Sequence, residues 1–207
     1  MEQNPNTHQL IDEQKKQTLA DPSLVNYYND IENRTYWLND EINHFTFDLV
    51  QYILRWNKED KGIPTEERKQ IRIIVDCHGG MLSVTKTIVN IIKMSKTPVH
   101  MFALGFVASG ASMIYLAGHK RYALPNPTFL LHKGNCGGLS GTFDELLAFM
   151  EDYQKDVAEL IDFYKENTKF SPEDIENKIQ GEWYIRIDEA LENGIVDEIV
   201  TDIDLFC

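Results

Sequence analysis

Residues 99–117 read VHMFALGFVASGASMIYLA and contain no Asp, Glu, Lys or Arg. Val99–Leu104 has the short apolar pattern of a buried strand, and Ser109–Ala117 has the pattern of a buried helix. A membrane span is the alternative, because Met101–Gly118 is 18 residues long without a charge. That length barely reaches across a bilayer, and the segment holds three glycines. The stretch therefore predicts a strand that runs directly into a helix.

The neighbouring segments repeat this alternation of strand and helix. Ile71–Val75 is a short apolar strand, and the helical periodicity of Val84–Met94 follows it and ends before Pro98. Arg121–Ala123 and Phe129–His132 are two further strand candidates. Strands that alternate with helices form βαβ units, so the sequence predicts an α/β fold with a largely parallel sheet.

The segments upstream of these strands are more varied. Arg34–Leu38 predicts another strand from its aromatic and β-branched side chains. Asn39 or Asp40 can cap a following helix, because apolar side chains across residues 42–56 recur at helical spacing. Residues 1–32 are polar and show no strong periodicity, and we expect them to form a mobile or partner-dependent arm.

The most regular element is the helix predicted over Phe143–Tyr164. Its apolar side chains alternate spacings of three and four, and Thr142 and Glu145 form a capping box at its start. A helix of about 33 Å is longer than a small domain usually needs. It either packs along its own sheet or projects and packs against another subunit. Ser171 then caps a further helix, with Pro172 at its first position.

Composition disfavours several classes of function. The 207 residues include 33 acidic and 20 basic side chains, a net charge of −13 at pH 7. A nucleic-acid or anionic-membrane partner is therefore not expected. The three cysteines are far apart and in no metal-ligand spacing, so neither a metal nor a cofactor is predicted. Their odd number and the polar N-terminus suggest a reducing compartment, and we expect a cytoplasmic protein.

Ser109 and His132 can carry chemistry as nucleophile and base. Ser109 stands where a strand passes into a helix, among unpaired backbone N–H groups that favour developing negative charge. His132 closes an apolar strand, and its pKa near neutrality suits a base for a serine hydroxyl. Each residue also has a plainer interpretation, since Ser109 can simply cap the helix and His132 can be a satisfied core residue.

Residues 78–80, His-Gly-Gly, form a sharp turn after a strand and offer glycine N–H groups. They are similar to the oxyanion loop of esterases, but the Gly-x-Ser-x-Gly elbow is absent because Val107 and Ala111 occupy its glycine positions. No Gly-Lys-Ser/Thr follows, so the turn is not a phosphate loop. Cys77 and His78 are adjacent on a strand, point to opposite faces and make a poor Cys–His pair.

Taken in order, these motifs resemble the proteolytic subunit of the Clp protease. The chain carries HGG (78–80), GFVAS (105–109), RYALPN (121–126) and LLH (130–132). The similar family pattern is Ser-Pro-Gly-Gly, Gly-x-Ala-Ala-Ser, Arg-Tyr-Ala-Leu-Pro-Asn and Ile-His. The stretch EALENGIVD (189–197) also matches the C-terminal signature of the family. The resemblance runs from about residue 34 to residue 200, and several motifs in register make it specific.

The resemblance implies a ClpP/crotonase-type α/β fold of repeated ββα units over residues 33–207, after an arm over residues 1–32. It implies that the long helix, at about residues 142–168, is the handle through which two heptameric rings join. The expected assembly is a homo-oligomer, either one heptamer or a double heptamer. Its substrates would be peptides and unfolded proteins, and its partner an AAA+ unfoldase.

The same resemblance assigns roles to residues of the site. Ser109 is the nucleophile and His132 the base of a serine endopeptidase, and the backbone N–H groups of Gly80 and Gly110 form the oxyanion hole. Loss of one such donor costs about 10²–10³ in rate. The loop that binds the substrate backbone would contain Gly137, Gly138 and Leu139.

Three features depart from the family pattern. The family's triad acid is Asp, and counting back from the C-terminal signature puts Glu182 there, without the usual neighbouring Arg. Glu182 can orient His132, as in Ser-His-Glu triads, or it can be a surface residue without a role. The partly aromatic pocket for the ATPase partner corresponds to positions that hold Arg72, Ile74 and Met94 here.

The third departure is the N-terminal arm, which does not match the pore-lining segment of the family; His78 also replaces a proline. The chain is therefore expected to be a divergent member, with an unfoldase that is different, weakly bound or absent. Peptide hydrolysis on Ser109 is the leading hypothesis. A catalytically idle ring subunit is the alternative that the Glu182 substitution favours. An acyl-CoA-processing crotonase relative is a third, opposed by the Ser109–His132 pair and the C-terminal match.

Overall fold

The centre of the protein is a seven-stranded sheet in a computed structural model that describes residues 21–205. Its strands are β1 (Thr35–Leu38), β2 (Ile71–Cys77), β3 (Val99–Ala108), β4 (Lys120–Ala123), β5 (Thr128–Leu131), β6 (Trp183–Arg186) and β7 (Glu198–Ile199). The helices of this part of the chain are α1 (Pro22–Glu32), α2 (Phe47–Glu59), α3 (Leu82–Met94), α4 (Gly110–Leu116), α5 (Phe143–Asn167), α6 (Pro172–Lys178) and α7 (Ile187–Glu192).

Five strands pair in the order β1-β2-β3-β4-β7, and all of these pairs are parallel. β3 is ten residues long and has two partners on one side, because its first half pairs with β4 and Phe106–Ala108 pair with β5. β6 adds to β5 in the antiparallel direction. The predicted α/β fold with a largely parallel sheet is confirmed, and β6 and β7 extend it beyond the strands predicted from sequence.

The uncharged stretch 99–117 forms a buried strand and a buried helix. It becomes β3 and α4, and all seven residues of α4 are buried. The apolar faces of α2 and α3 pack into the same core as the strands. Among the described helices, none is long and apolar enough to cross a membrane.

The helix predicted to be capped by Asn39 or Asp40 begins at Phe47 instead. A short 3-10 turn precedes it, and Ile42 forms an isolated parallel bridge with Gly80. Phe45, which helical spacing placed on the apolar face, is 89% exposed. The earlier start was wrong because Ile42 is held in a bridge with Gly80, a contact far away in the sequence that periodicity does not reveal.

The expected polar arm is described only in part. Its last residues form α1, which Asp21 caps through a hydrogen bond from the Ser23 amide. α1 contacts the sheet through Trp37, whose indole N–H donates to Asp30 at 3.1 Å. Residues 1–20, like Cys207, lie outside the described residues, so the boundary between arm and domain stays a prediction.

The long helix α5 has 25 residues, about 37 Å at 1.5 Å per residue. The capping box of Thr142 and Glu145 is present at its start, as predicted. Its buried residues, Leu160, Phe163 and Tyr164, all belong to its second half, whereas Phe143 at its start is 75% exposed. The first half of α5 therefore does not pack on its own sheet.

Candidate active site

Ser109 occupies a sharp turn between β3 and α4. Its φ of 56° and ψ of −125° are a positive-φ conformation that costs a non-glycine residue about 1–3 kcal/mol. Its N–H donates to the carbonyl of Leu130 in β5 at 3.0 Å. Gly79 lies so close that a Cβ there would be 2.8 Å from the Ser109 Cβ. The turn is therefore fixed from both sides by the strands next to β3.

The side chains of Ser109 and His132 are joined by a hydrogen bond, with 2.7 Å between Oγ and Nε2. Ala108 of β3 pairs with Leu130 of β5, so the parallel strands bring both residues to one edge of the sheet. Burial lowers the pKa of the half-buried His132, and the charge of Glu182 raises it in part. A lowered pKa keeps the imidazole neutral, the form that can accept a serine proton.

Two glycines, Gly80 and Gly110, line the same space. Gly110 is the first residue of α4, so its N–H has no partner within the helix. Around Gly80, Gly79 O accepts from Ile42 N and Met81 N donates to Ile42 O, both at 2.8 Å. In a parallel bridge of this kind the N–H of the central residue, Gly80, points away from the paired segment. Two amides beside a nucleophile are what an oxyanion needs.

These groups line a cleft of about 620 Å³. Met113 of α4 and Val157 and Leu160 of α5 form an apolar wall, while Glu41 and Lys133 add charges to the lining. Clefts of this size hold small ligands or a few residues of a peptide. The arrangement can bind an extended chain with an apolar side chain against the wall and its carbonyl at the serine.

Glu182 lies beside His132 without a hydrogen bond to it. Leu131 pairs with Trp183 across β5 and β6, so the antiparallel register puts Glu182 opposite His132. The exposed carboxylate instead accepts a hydrogen bond from the Tyr184 hydroxyl at 2.5 Å. Within residues 21–205, no side chain hydrogen-bonds the second ring nitrogen of His132. Glu182 acts on the imidazole through its charge alone.

The predicted substrate-binding residues are not brought to the serine. The segment over residues 132–140 is irregular and largely exposed, with no strand pairing. Gly134 and Asn135 line the cleft, but its lining does not include Gly137, Gly138 or Leu139. Their role therefore remains a prediction.

Comparison with known proteins identifies the family. The family model described as Clp protease matches residues 24–202, which is most of the chain. The chain belongs to the Clp protease family. The resemblance drawn from the order of its motifs is thereby confirmed.

Individual Clp proteins share about a quarter of their aligned residues with this chain. The ATP-dependent Clp protease proteolytic subunit of Deinococcus radiodurans is 27% identical, over 64% of this chain and 65% of that protein, just under two thirds of its length. The ATP-dependent Clp protease proteolytic subunit 1 of Rhodopirellula baltica is 26% identical, over 95% of this chain and 82% of that protein. The structure of a ClpP1 mutant from Listeria monocytogenes matches with a TM-score of 0.72 at 26% identity, covering 86% of this chain and 96% of that one.

In this Clp protein residues 153–159 of α5 are fastened to the rest of the chain. Lys86 of α3 forms ion pairs with Asp156 and Glu159 of α5. Tyr153 of α5 donates its hydroxyl proton to the carbonyl of Lys133 at 3.2 Å. These contacts hold the helix that supplies one wall of the cleft. The sequence offered no signal for them, because their partners lie 20 to 73 residues apart.

The positions predicted to correspond to the family's partner pocket lie on β2 and at the end of α3. Ile74 is buried, Met94 is 69% exposed, and the Arg72 Nε donates to the Thr35 hydroxyl at 3.2 Å. In register with Ile74, Phe102 of β3 stacks on Tyr122 of β4 at a centroid distance of 4.9 Å. Aromatic side chains are therefore present beside these positions, which the sequence comparison of the three residues missed.

Proposed function

We propose that this protein is a serine endopeptidase that hydrolyses peptide bonds through an acyl-enzyme on Ser109. The observation that carries the proposal is the 2.7 Å hydrogen bond between Ser109 Oγ and His132 Nε2, in a cleft that Gly80 and Gly110 also line. Membership of the Clp protease family supports a peptidase, since its relatives are named proteolytic subunits.

Acylation begins when His132 accepts the Ser109 proton at Nε2 and Oγ attacks the carbonyl carbon of the peptide. The carbonyl oxygen takes the negative charge and accepts hydrogen bonds from the N–H groups of Gly80 and Gly110. His132 then gives its proton to the leaving amine as the C–N bond breaks. In the second half, water gives a proton to His132 and attacks the ester carbonyl; the bond between the acyl carbon and Ser109 Oγ then breaks, and His132 returns the proton to Oγ.

The imidazolium formed in both steps needs a neighbouring negative charge. Glu182, opposite His132 in the sheet register, supplies it across space. We assign Glu182 the role of triad acid on this ground. Because the Glu182 side chain is longer than that of Asp and is turned towards Tyr184, its contribution is smaller than that of a hydrogen-bonded acid.

We propose that the chain works as a homo-oligomer, a heptameric ring or a double heptamer that encloses the cleft. The exposed apolar side chains of the first half of α5 support this, since Phe143, Leu147 and Met150 lie at helical spacing on one side. Exchange of Phe143 and Leu147 for Asp should dissociate rings that join through α5. Size-exclusion chromatography with light scattering measures this, and a wild-type monomer of 23.9 kDa would contradict the ring.

The substrates we propose are peptides and unfolded proteins, with the backbone held by the segment that contains Gly137, Gly138 and Leu139. An AAA+ unfoldase is the partner class that fits this role. The free thiols of Cys77 and Cys136 fit a reducing, cytoplasmic compartment.

A fluorophosphonate probe with mass spectrometry tests the nucleophile directly. We expect stoichiometric labelling at Ser109, lost in Ser109→Ala and retained in Ser83→Ala, which removes an exposed serine on α3. Labelling at another serine, or none in a correctly assembled particle, contradicts the peptidase.

A catalytically idle ring subunit is the second candidate, because Glu182 has no hydrogen bond to His132. An idle subunit would assemble but neither react with the probe nor cleave peptides. The probe and the light-scattering measurement together separate the two candidates.

A further inference from the structure

We propose that Cys77 is a positioning residue of the oxyanion hole: its thiol holds the His78-Gly79-Gly80 turn so that the Gly80 amide is aimed at the substrate carbonyl. The inference rests on the proposed serine-peptidase function and assigns a role to a side chain that never touches substrate. It follows from hydrogen bonds that join Cys77 both to residues 40–42 and to residues 78–80.

The thiol hydrogen-bonds in two directions at the end of β2. Its Sγ lies 3.0 Å from the carbonyl oxygen of Asp40 and accepts the N–H of Gly79 at 3.3 Å. The carbonyl of Gly79 is also within reach, at 3.9 Å, but the single S–H proton goes to the nearer Asp40. Cys77 therefore serves as donor to one segment and acceptor from the other.

Residues 40–42, where the Asp40 carbonyl accepts the thiol hydrogen bond, also pair with the backbone on either side of Gly80. Ile42 bonds to Gly79 and Met81 on either side of Gly80, both at 2.8 Å. The packing is so close that a Cβ at Gly80 would lie 2.2 Å from the Ile42 carbonyl oxygen. The direction of the Gly80 amide thus depends on where residues 40–42 stand.

Cys77 is the one side chain among residues 21–205 that hydrogen-bonds both residues 40–42 and residues 78–80. Asn43 reaches the Glu41 carbonyl alone, and the Thr85 hydroxyl reaches the Met81 carbonyl alone. Every other bond between the two segments is made by backbone atoms. Removing the thiol is therefore the way to loosen the turn without changing its glycines.

The protonation state of the thiol agrees with this role. Cys77 is 2% exposed, and burial raises its pKa, so the sulfur keeps the proton that the Asp40 carbonyl accepts. A buried neutral thiol is also a poor nucleophile. Its contribution is therefore geometric, through the turn.

Four variants of the full-length protein test the inference. Cys77→Ser keeps a donor and an acceptor, Cys77→Ala removes both, and Cys77→Val removes both while filling the space. Val75→Ala is the matched control. Val75 is a fully buried residue of the same strand, and its apolar side chain makes no hydrogen bonds to the turn. The measurements are the rate of fluorophosphonate labelling at Ser109, kcat and KM for a peptide substrate, and the midpoint of thermal unfolding.

We expect Cys77→Ala and Cys77→Val to lower the labelling rate and kcat by about tenfold, less than the 10²–10³ lost when an oxyanion donor is deleted. KM should stay within about twofold, since the Gly80 amide binds the developing oxyanion more strongly than the ground-state carbonyl. Cys77→Ser should remain within about threefold of wild type, as should Val75→Ala despite its lower stability, since core truncations of this kind cost stability first.

Several outcomes overturn the inference. Wild-type rates in Cys77→Ala and Cys77→Val would show that the thiol does not position the turn. A loss in Val75→Ala equal to that in Cys77→Ala would assign the effect to core packing, as would failure of both non-polar variants to fold. A loss in Cys77→Ser as large as in Cys77→Ala would exclude the hydrogen bonds. No labelling of wild-type Ser109 would overturn the proposed function and this inference together, whereas labelled wild type with equal rates in all variants overturns this inference alone.

Discussion

The two sides of the candidate active site are held in different ways. On the strand-end side, Gly80, Ser109 and His132 follow the carboxyl ends of the parallel strands β2, β3 and β5. On the acid side, Glu182 precedes β6, a four-residue outer strand that, within residues 21–205, pairs with β5 alone. Backbone pairing sets the first side, so Ser109 and His132 meet at hydrogen-bond distance. The second depends on the rotamer of a long exposed side chain.

The difference shows why the same sheet register produced a contact in one case and not in the other. Ser109 and His132 are hydrogen-bonded because β3 and β5 are buried and the turn at Ser109 is strained into place. Glu182 stands opposite His132 by register as well, but its carboxylate is satisfied by the neighbouring Tyr184. Register brings residues together; burial and packing then decide which atoms touch.

The largest effect is expected from breaking the strand-end side. His132→Ala removes the base, and kcat should fall by about 10³-fold or more, because a serine hydroxyl alone is a weak nucleophile. His44→Ala, which removes an exposed histidine outside the cleft, is the control. Peptide cleavage under saturating substrate measures the change. Activity within tenfold of wild type would mean that another group is the base.

The next effect tests the oxyanion turn. In Gly80→Ala the new Cβ would meet the carbonyl oxygen of Ile42 at 2.2 Å, so the turn must move and its amide with it. We expect kcat to fall by about 10²-fold, in the range for loss of one oxyanion donor.

Gly62→Ala is the control for Gly80→Ala. Gly62 also has a positive φ, 94°, but has open space around it, so this variant reports the backbone strain alone. Comparable kcat losses in both glycine variants would contradict a special role for Gly80. Circular dichroism of both proteins shows whether they fold.

The strand-end side is also the side that could be predicted from the sequence. The absence of charge over residues 99–117 and the apolar run at residues 71–75 predict buried parallel strands, whose ends converge by rule. The small residues around Ser109 and the glycines at 79–80 mark turns. The resemblance carried by the order of these motifs then assigned Ser109, His132, Gly80 and Gly110 to one site, and the structure places Ser109 and His132 in hydrogen-bond contact.

The parts that escaped prediction depend on distant or weak signals. β7 is two residues long and β6 alternates buried and exposed side chains, so neither has an apolar run. The extended segment before Phe47 is held by Gly79 and Met81, nearly 40 residues away. The position of Glu182 followed from counting along the family pattern. Its hydrogen bond to Tyr184 depends on the rotamer of the side chain, which a sequence position does not predict.

Two variants with opposite expected effects on the pKa of His132 test the role of Glu182. Glu182→Gln should lower kcat by more than tenfold, because the imidazolium loses its neighbouring charge. Since the charge of Glu182 raises the pKa of His132, its removal should shift the acid limb of kcat/KM to lower pH. Because burial lowers the pKa of His132, we expect the acid limb of wild type to lie below the ordinary histidine value of 6.5.

Tyr184→Phe releases the carboxylate from its present partner and lets it approach His132, so the acid limb should move to higher pH. Glu66→Gln, a surface carboxylate in a 3-10 turn, is the charge control. The pH dependence of kcat/KM measures all three variants. A Glu182→Gln enzyme with an unchanged rate and an unchanged profile would remove Glu182 from the triad.

The smallest effect concerns the contact between α5 and the segment after His132. Tyr153→Phe deletes the hydrogen bond to the Lys133 carbonyl, a contact worth about 1 kcal/mol. Because Lys133 and Gly134 line the cleft but do not take part in proton transfer, KM should rise by about two- to threefold while kcat stays unchanged. Tyr28→Phe, the same substitution on exposed α1, should change neither. A fall in kcat with constant KM would instead mean that this contact positions His132, joining α5 to the strand-end side rather than to substrate binding.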